Sequence, residues 1–187
     1  MKPEIVFTRE EINEMVSDIA AKLTEMYKDS KVPPVFVGVL KGAVPFMMDL
    51  IKKCNFPLNI DFIQVTSYSG TASTGVVHLK KDLSESVKDK DVVIIEDIVD
   101  TGSTLSYLKQ YIQVHHQPKS VKIVCLIDKK PLRKVNLEAD VVGATLTQNK
   151  FIVGYGFDYN ELGRNIDYIF VPTKKQLNEW DKLNKRK

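Results

Sequence analysis

Apolar residues recur along the chain at two spacings, one typical of helices and one of buried strands. Thr8-Arg9-Glu10-Glu11 forms a capping box, after which apolar residues return every three or four positions. A second capping box begins at Thr173, and Pro45 is well placed in a first helical turn. These signals predict helices over residues 9–27, from Pro45 through Lys53, from Ser103 onward, and from Thr173 through Leu183.

Short apolar runs between these helices predict buried strands. The predicted strands cover residues 34–40, 58–68, 76–83, 91–96, 121–127, 140–146, 151–157 and 166–172. Strands that alternate with helices indicate an α/β protein with a mostly parallel sheet flanked by helices. Such sheets bind ligands at the carboxyl ends of their strands. Residues 69–75, SGTASTG, contain almost no apolar side chains and predict a flexible loop.

Composition narrows the class of protein without naming a function. The 187 residues are enough for one domain over 1–187, and 43% of them are hydrophobic. The net charge of +3 is small and scattered, so we expect no nucleic-acid partner, and no apolar run is long enough to span a membrane. Cys54 and Cys125 match no metal or disulfide pattern, which favours a cytoplasmic protein with reduced thiols.

The stretch Asp91–Leu105, DVVIIEDIVDTGSTL, places a loop between a buried strand and a helix. Free amides at the start of a helix attract anions, and Gly102 allows amides to converge on an oxyanion. Hydroxyl groups of Thr101, Ser103 and Thr104 add further donors. The chain has neither a Walker GxxxxGK[ST] motif nor a GxGxxG motif. The sequence therefore predicts a phosphate cradle that lacks the P-loop lysine.

Three acids, Glu96, Asp97 and Asp100, lie directly before this cradle. A carboxylate at about 4 Å repels one phosphate charge by roughly 4 kcal/mol, so the acids require a second part of the ligand. Asp100 or Thr101 as a simple helix N-cap would explain one acid only. An aspartic protease shares the letters DTGS but is all-β and needs two such carboxylates. A phospho-acceptor site would leave the hydroxyl-rich loop unexplained.

EDIVDTGST preceded by VVII resembles the ribose-phosphate signature of the type I phosphoribosyltransferases. The resemblance implies that family's α/β fold, with a central mostly parallel sheet, a small hood and a flexible closing loop. It implies phosphoribosyl pyrophosphate as ligand, with the 5′-phosphate at Asp100 and Thr101–Thr104. Glu96 and Asp97 would then accept hydrogen bonds from the ribose hydroxyls, directly or through Mg²⁺ and water.

Two further segments resemble the hypoxanthine-guanine branch of this family. Leu40-Lys41-Gly42 matches its pyrophosphate-binding LKGG segment, with Ala43 as a departure. In that branch the Leu–Lys peptide can be cis, and the sequence leaves this open. Ser67-Tyr68 resembles the start of the closing loop, which the resemblance also assigns to pyrophosphate.

Residues 150–161, KFIVGYGFDYNE, resemble the purine segment of the same branch. The resemblance implies that Phe151 stacks on the purine and that the Ile152 backbone reads its edge. Asp158 would be a second metal-side acid next to the purine, and Arg164 would reach pyrophosphate. A lysine within LIDKKP at 126–131 would contact the purine 6-oxo group. Lys129 is the preferred residue, and Lys130 stays the alternative.

Together these motifs imply a purine salvage enzyme. It would transfer 5-phosphoribosyl to N9 of hypoxanthine or guanine in a Mg²⁺-dependent reaction, giving IMP or GMP and pyrophosphate. Asp100 resembles the family's general base or proton acceptor at purine N7. A homodimer or homotetramer is expected. A regulator of RNA or DNA that binds phosphoribosyl pyrophosphate, and an enzyme that prefers xanthine, remain the alternatives.

Overall fold

The computed structural model describes residues 2–67 and 77–185. The strands are β1 (Glu4–Phe7), β2 (Val35–Leu40), β3 (Asn59–Ser67), β4 (Val77–Lys81), β5 (Asp91–Val99), β6 (Ser120–Asp128), β7 (Val141–Thr145) and β8 (Ile169–Val171). The helices are α1 (Arg9–Tyr27), α2 (Val44–Lys53), α3 (Ser103–His116) and α4 (Lys174–Asn184). Both predicted capping boxes are present, at Thr8 and Thr173. All four predicted helices are therefore confirmed.

Six strands form the central sheet in the order β4-β3-β2-β5-β6-β7. Every neighbouring pair from β3 to β7 is parallel, and only the edge strand β4 is antiparallel to its neighbour. The predicted mostly parallel sheet is thus confirmed. Because β2, β5 and β6 are adjacent and parallel, the loops that follow them lie side by side at one edge.

Helices cover both faces of this sheet, and alternate residues of the central strands pack on opposite sides. On β5, Val93 and Ile95 belong to the core that contains α1 and α2. Val92 and Ile94 belong to the core under α3. All four side chains are fully buried. Because both faces of β5 are buried, the strand is a continuous apolar run in the sequence. The same packing on both faces gives the end of β5 a rigid support.

A second, two-stranded sheet pairs β1 with β8 in antiparallel fashion. Together with residues 151–168, which a bridge between Val153 and Phe170 joins to β8, it corresponds to the predicted hood. The sequence patterns were wrong about the strands here. Residues 151–157 form only isolated bridges, and 166–172 shorten to β8. Gly154, Tyr155 and Gly156 all have positive φ angles, which turn the chain and prevent a continuous strand. No signal predicted β1.

The predicted closing loop, 69–75, lies outside the described residues, as does Tyr68. Ser67 is the last residue of β3, and β4 begins on the far side of the loop at Val77. The flanking strands therefore pair as the return hairpin that was predicted. Within residues 2–67 and 77–185, no helix combines the length and apolar character needed to cross a membrane.

Candidate active site

Three of the predicted binding segments meet at the carboxyl edge of the central sheet. Leu40 ends β2 and leads into Lys41 and Gly42, Asp100–Gly102 follow β5, and Lys129 follows β6. The order of the strands places the acidic and phosphate segment between the other two. The three loops are therefore neighbours at the edge where parallel sheets usually bind their ligands.

The phosphate cradle has the predicted form of a loop leading into α3. Gly102 is the N-cap residue, with φ of 81°, and no side chain caps the helix. The Thr101 hydroxyl oxygen accepts a hydrogen bond from the Ser103 amide at 3.3 Å. The loop borders a cavity of about 210 Å³. The cavity is lined by Glu96, Asp97, Ile98, Val99, Asp100, Thr101, Gly102, Thr104 and Leu105, and Ser103 is not part of the lining.

Asp100 does not cap the helix, because Gly102 occupies that position. Its Oδ1 atom is buried and has no hydrogen-bond partner among the described residues. A buried carboxylate oxygen without a donor is costly in a folded protein and calls for a functional reason. No hydrogen bond from the described residues therefore occupies Oδ1 of Asp100.

Glu96 and Asp97 are both buried at the end of β5, with 9% and 7% of their surface exposed. Oε1 of Glu96 accepts the Asp97 amide at 3.1 Å, and Oδ1 of Asp97 accepts the Ile98 amide at 2.7 Å. Burial raises the pKa of Glu96 well above its usual range, and the neighbouring charge of Asp97 raises it further. Burial also raises the pKa of Asp97. Because both pKa values are raised, the pair binds a proton more readily than ordinary carboxyl groups do. A cation bound between the two groups would offset the same charge.

The segment after β6 contacts three consecutive carbonyl groups, those of Val99, Asp100 and Thr101. The Lys129 amide donates to the Val99 carbonyl at 2.9 Å, and the Lys134 amide donates to the Thr101 carbonyl at 2.9 Å. Between them, Nε of Arg133 lies 3.4 Å from the Asp100 carbonyl. These contacts tie the end of β5 and the loop after it to the segment after β6 at three successive residues.

Arg133 also forms an ion pair with Asp128, whose side chain is 5% exposed. A Cβ atom added to Gly102 would lie 2.9 Å from the Arg133 side chain, so glycine is needed for space as well as for its positive φ. Arg133 was not among the predicted site residues. Its role depends on contacts across 33 positions of sequence, which no local pattern could indicate.

The loop after β2 packs directly on the acids of β5. The Leu40–Lys41 peptide is cis. A Cβ atom on Gly42 would lie 1.9 Å from Oδ2 of Asp97, so only glycine fits at this contact. A Cβ atom on Gly156 would lie 2.1 Å from the Gly42 carbonyl oxygen. The predicted pyrophosphate segment is thus enclosed between the acidic pair and the hood.

The hood adds a tight turn at Tyr159–Leu162, closed by reciprocal backbone hydrogen bonds of 2.9 and 3.0 Å. Its central residues, Asn160 and Glu161, have φ angles of 50° and 69°, the pattern of a type I′ turn. Glycine is the favoured residue at the second of these positions. A glutamate held there costs about 1–2 kcal/mol of backbone strain.

The predicted pyrophosphate residues Lys41 and Arg164 both contact this turn. Nζ of Lys41 lies 2.6 Å from Oε2 of Glu161, and Arg164 contacts Oε1 of the same residue at 3.1 Å. Arg164 also contacts Oδ1 of Asp158 at 2.8 Å and donates to the Gly156 carbonyl at 2.8 Å. Hydrogen bonding from Lys41 is the main cause that lowers the pKa of Glu161.

The predicted purine residues differ in their exposure. Lys129 is buried with 7% of its surface exposed, whereas Lys130 is exposed and begins a short 3-10 helix. Phe151 is 51% exposed, with its ring 6.0 Å from that of Tyr159 in an edge-to-face arrangement. Ile152 is buried. Phe151 therefore presents an exposed aromatic ring, a surface on which a flat heterocycle can stack.

The three acids predicted as metal ligands do not form one cluster. In the part of the chain that the structure describes, no group of three or more acidic, histidine or cysteine side chains could hold a metal ion. Glu96 and Asp97 form a pair, whereas both carboxylate oxygens of Asp158 are engaged, by Arg164 and by the Glu161 amide. A pair of carboxylates still suits Mg²⁺, which usually takes one or two protein carboxylates together with phosphate oxygens.

A larger cavity, about 620 Å³, lies away from this edge between α1, α2 and the hood. Its charged side chains include two ion pairs, Arg9 with Asp167 at 3.2 Å and Lys52 with Asp49 at 3.6 Å. It contains none of the predicted site residues. The chemistry therefore favours the smaller cavity at the sheet edge.

Comparison with known proteins agrees with this geometry. The family model for the phosphoribosyl transferase domain matches residues 8–160. The hypoxanthine-guanine phosphoribosyltransferase of Bacillus subtilis (strain 168) is 46% identical over 169 residues, which cover 90% of this chain and 92% of that protein. The bifunctional protein TilS/HprT of Listeria innocua is 47% identical over 169 residues, but the chain spans only 26% of its length.

Solved structures give the same result. The crystal structure of a hypoxanthine phosphoribosyltransferase from Staphylococcus aureus superposes with a TM-score of 0.86 and 44% identity, covering 92% of each chain. The hypoxanthine phosphoribosyl transferase of Trypanosoma cruzi superposes with a TM-score of 0.87 at 35% identity, covering 96% of this chain and 95% of that one. This chain therefore belongs to the phosphoribosyltransferase family, in its hypoxanthine-guanine branch.

Proposed function

We propose that this protein is a purine salvage enzyme that transfers 5-phosphoribosyl from phosphoribosyl pyrophosphate to N9 of hypoxanthine or guanine. The products are IMP or GMP and pyrophosphate. The observation that carries the proposal is that a hydroxyl-rich cradle and a buried acidic pair line the same cavity at the sheet edge. Each part suits a different portion of the same ligand.

The cradle at Thr101–Thr104 supplies amides and hydroxyls for the 5′-phosphate, aided by the start of α3. Glu96 and Asp97 accept hydrogen bonds from the ribose hydroxyls. Their negative charge also stabilises the positive charge that develops at C1′ as the bond to pyrophosphate breaks. This assignment explains why acids lie next to a phosphate site, since they bind the ribose and not the phosphate.

Asp100 is the proposed proton acceptor at purine N7, since its buried Oδ1 has no other partner among the described residues. Phe151 stacks on the base, and the Ile152 backbone reads its edge. Lys129 donates to the 6-oxo group, which would favour hypoxanthine and guanine over adenine. Its burial makes it a better candidate than the exposed Lys130.

Members of this family typically use a metal ion, and we propose Mg²⁺ for this chain. Glu96 and Asp97 would hold it together with oxygens of the substrate, and Asp158 would approach it from the hood. When bound, Mg²⁺ neutralises charge on the departing pyrophosphate. Lys41, Arg164 and the Leu40–Gly42 backbone hold the same group, and Ser67 and Tyr68 join from the closing loop.

The remaining features of the proposal concern the whole protein. We propose that residues 1–187 act as one domain, that the enzyme works in the cytoplasm, and that it forms a homodimer or homotetramer. No nucleic-acid partner is proposed, because the net charge of +3 is small. A regulator that binds the same ligand without turning it over is the alternative function.

The proposal is tested by mixing purified protein with phosphoribosyl pyrophosphate, Mg²⁺ and one base per reaction. Nucleotide formation is followed by absorbance with hypoxanthine, guanine, xanthine or adenine. We expect turnover of hypoxanthine and guanine and little turnover of adenine, and turnover of xanthine would broaden the specificity. Binding of phosphoribosyl pyrophosphate without turnover of any base would contradict catalysis and favour a regulator.

A further inference from the structure

Glu161 occupies the space between the two cations that the proposed function assigns to pyrophosphate. One of its carboxylate oxygens contacts Lys41 at 2.6 Å, and the other contacts Arg164 at 3.1 Å. Lys41 is reached from the loop after β2, 120 positions away in sequence. Among the described residues, no other ion pair connects the loop after β2 with the turn at Tyr159–Leu162.

The backbone at Glu161 indicates that this side chain is held there for its chemistry. Its φ of 69° lies in the left-handed region, where glycine is the favoured residue in a type I′ turn. The Asp158 carboxylate accepts the Glu161 amide at 2.8 Å and helps to fix the turn. A strained conformation kept at a candidate site motivates a functional role for the residue.

The charges around Glu161 are balanced in the free protein. Lys41 and Arg164 contribute two positive charges, and Asp158 and Glu161 contribute two negative charges. Nε of Arg164 is buried and has no hydrogen-bond partner among the described residues. An incoming polyanion would meet two cations whose charge is already neutralised, so it must displace an existing carboxylate to use them fully.

We propose that Glu161 is a built-in competitor of pyrophosphate, a positioning residue that holds Lys41 and Arg164 between turnovers and exchanges places with the pyrophosphate group. This inference rests on the proposed function, because it takes Lys41 and Arg164 to be pyrophosphate ligands. The pair with Lys41 is largely exposed, with 56% and 58% of the two side chains accessible. Such a pair is weak and exchanges readily. Glu161 therefore limits the affinity for the leaving group and favours its release.

The test is calorimetric titration of inorganic pyrophosphate, in the presence of Mg²⁺, into the wild type and four variants. Glu161→Gln removes the charge, and Glu161→Gly removes it while suiting the left-handed backbone. We expect both to bind pyrophosphate about three- to tenfold more tightly, since a competing ion pair and a repelling charge are lost. Pyrophosphate should inhibit nucleotide formation at concentrations lower by the same factor.

Two further variants separate the possible failures. Glu14→Gln removes an acid from the exposed face of α1 and should leave the affinity unchanged. Lys41→Gln removes a proposed pyrophosphate ligand and should weaken binding. If Lys41→Gln weakens binding but both Glu161 variants bind pyrophosphate no tighter than the wild type, Glu161 is not a competitor and this inference is overturned. If Lys41→Gln changes nothing, the pyrophosphate assignment itself is wrong and this inference falls with it.

Discussion

A Cβ atom on Gly42 would lie 1.9 Å from Oδ2 of Asp97, so the loop after β2 packs directly on this carboxylate near the end of β5. Asp97 cannot easily retreat, because it is buried and its other oxygen accepts the Ile98 amide at 2.7 Å. The two loops are therefore positioned by each other. A change at either one should disturb the site more than the fold.

Gly42→Ala is predicted to lower kcat/KM at least about tenfold, because the methyl group displaces Asp97 or the loop. The loss in the free energy of unfolding should be about 1–3 kcal/mol, as for other overpacked sites. Gly38→Ala is the matched control, since its Cβ atom would meet Met47 at 2.4 Å inside the core. That control should lose stability and keep its turnover per folded molecule. Equal activity losses in both variants would contradict the prediction.

Asp100→Asn is predicted to lower turnover by about 10²–10⁴ while the product nucleotide still binds. The amide keeps the size of the side chain but cannot accept the proton from purine N7. Steady-state turnover and nucleotide titration measure the two properties separately. Turnover close to that of the wild type would show that another group accepts the proton.

Glu96→Gln is predicted to stabilise the free protein at neutral pH and to lower activity. Burial raises the pKa of Glu96 and of Asp97, so the folded state binds protons more strongly than the unfolded chain. Stability supported by these protons is present below the ordinary carboxyl pKa, about 4, and is lost as pH rises toward the raised values. Removing the charge should therefore flatten the pH dependence.

The measurement is chemical unfolding in the absence of Mg²⁺ from pH 4.5 to 8. At pH 7.5 the gain for Glu96→Gln should be about 1–2 kcal/mol, a typical trade of activity for stability at an active site. Glu14→Gln, on the exposed face of α1, is the control and should behave as the wild type. A Glu96→Gln protein less stable than the wild type across this range would show that the acid is stabilising.

Lys129→Gln is predicted to lower kcat/KM for hypoxanthine by about 10- to 100-fold, the usual effect of removing a charged hydrogen bond to a substrate. Turnover of adenine, which has no 6-oxo group, should not fall in parallel. Lys130→Gln changes the neighbouring exposed lysine and should leave both bases unaffected. If Lys130→Gln gives the larger loss, the roles of the two lysines are reversed.

Arg133→Leu is predicted to reduce the free energy of unfolding by about 3–5 kcal/mol, because it leaves Asp128 buried without its partner. It should also raise KM for phosphoribosyl pyrophosphate, since the Asp100 carbonyl loses its support. The double variant Asp128→Asn, Arg133→Leu removes the unpaired charge. It should recover stability and keep the raised KM, and a normal KM in it would show that Arg133 does not support the loop.

The sequence by itself determined the helices, the central strands and the position of the loop before α3. Capping boxes, apolar periodicity and runs such as 92–95 are local signals, and local signals survive in a single sequence. The predicted residues of the cradle, the acidic pair and the purine segment follow from motifs of the same local kind. The predicted strand over 151–157 was wrong because the positive φ angles of Gly154–Gly156 turn the chain there.

The tertiary structure alone decided how the segments meet. Gly42 packs on Asp97, Arg133 contacts the Asp100 carbonyl, and Glu161 contacts Lys41. Each of these contacts joins positions far apart in sequence. The first two arise because adjacent parallel strands bring their carboxyl ends to one edge of the sheet, and the third arises because the hood packs on the loop after β2. Strand order is set by packing of the whole chain, so no local pattern could specify which carboxylate would reach which cation.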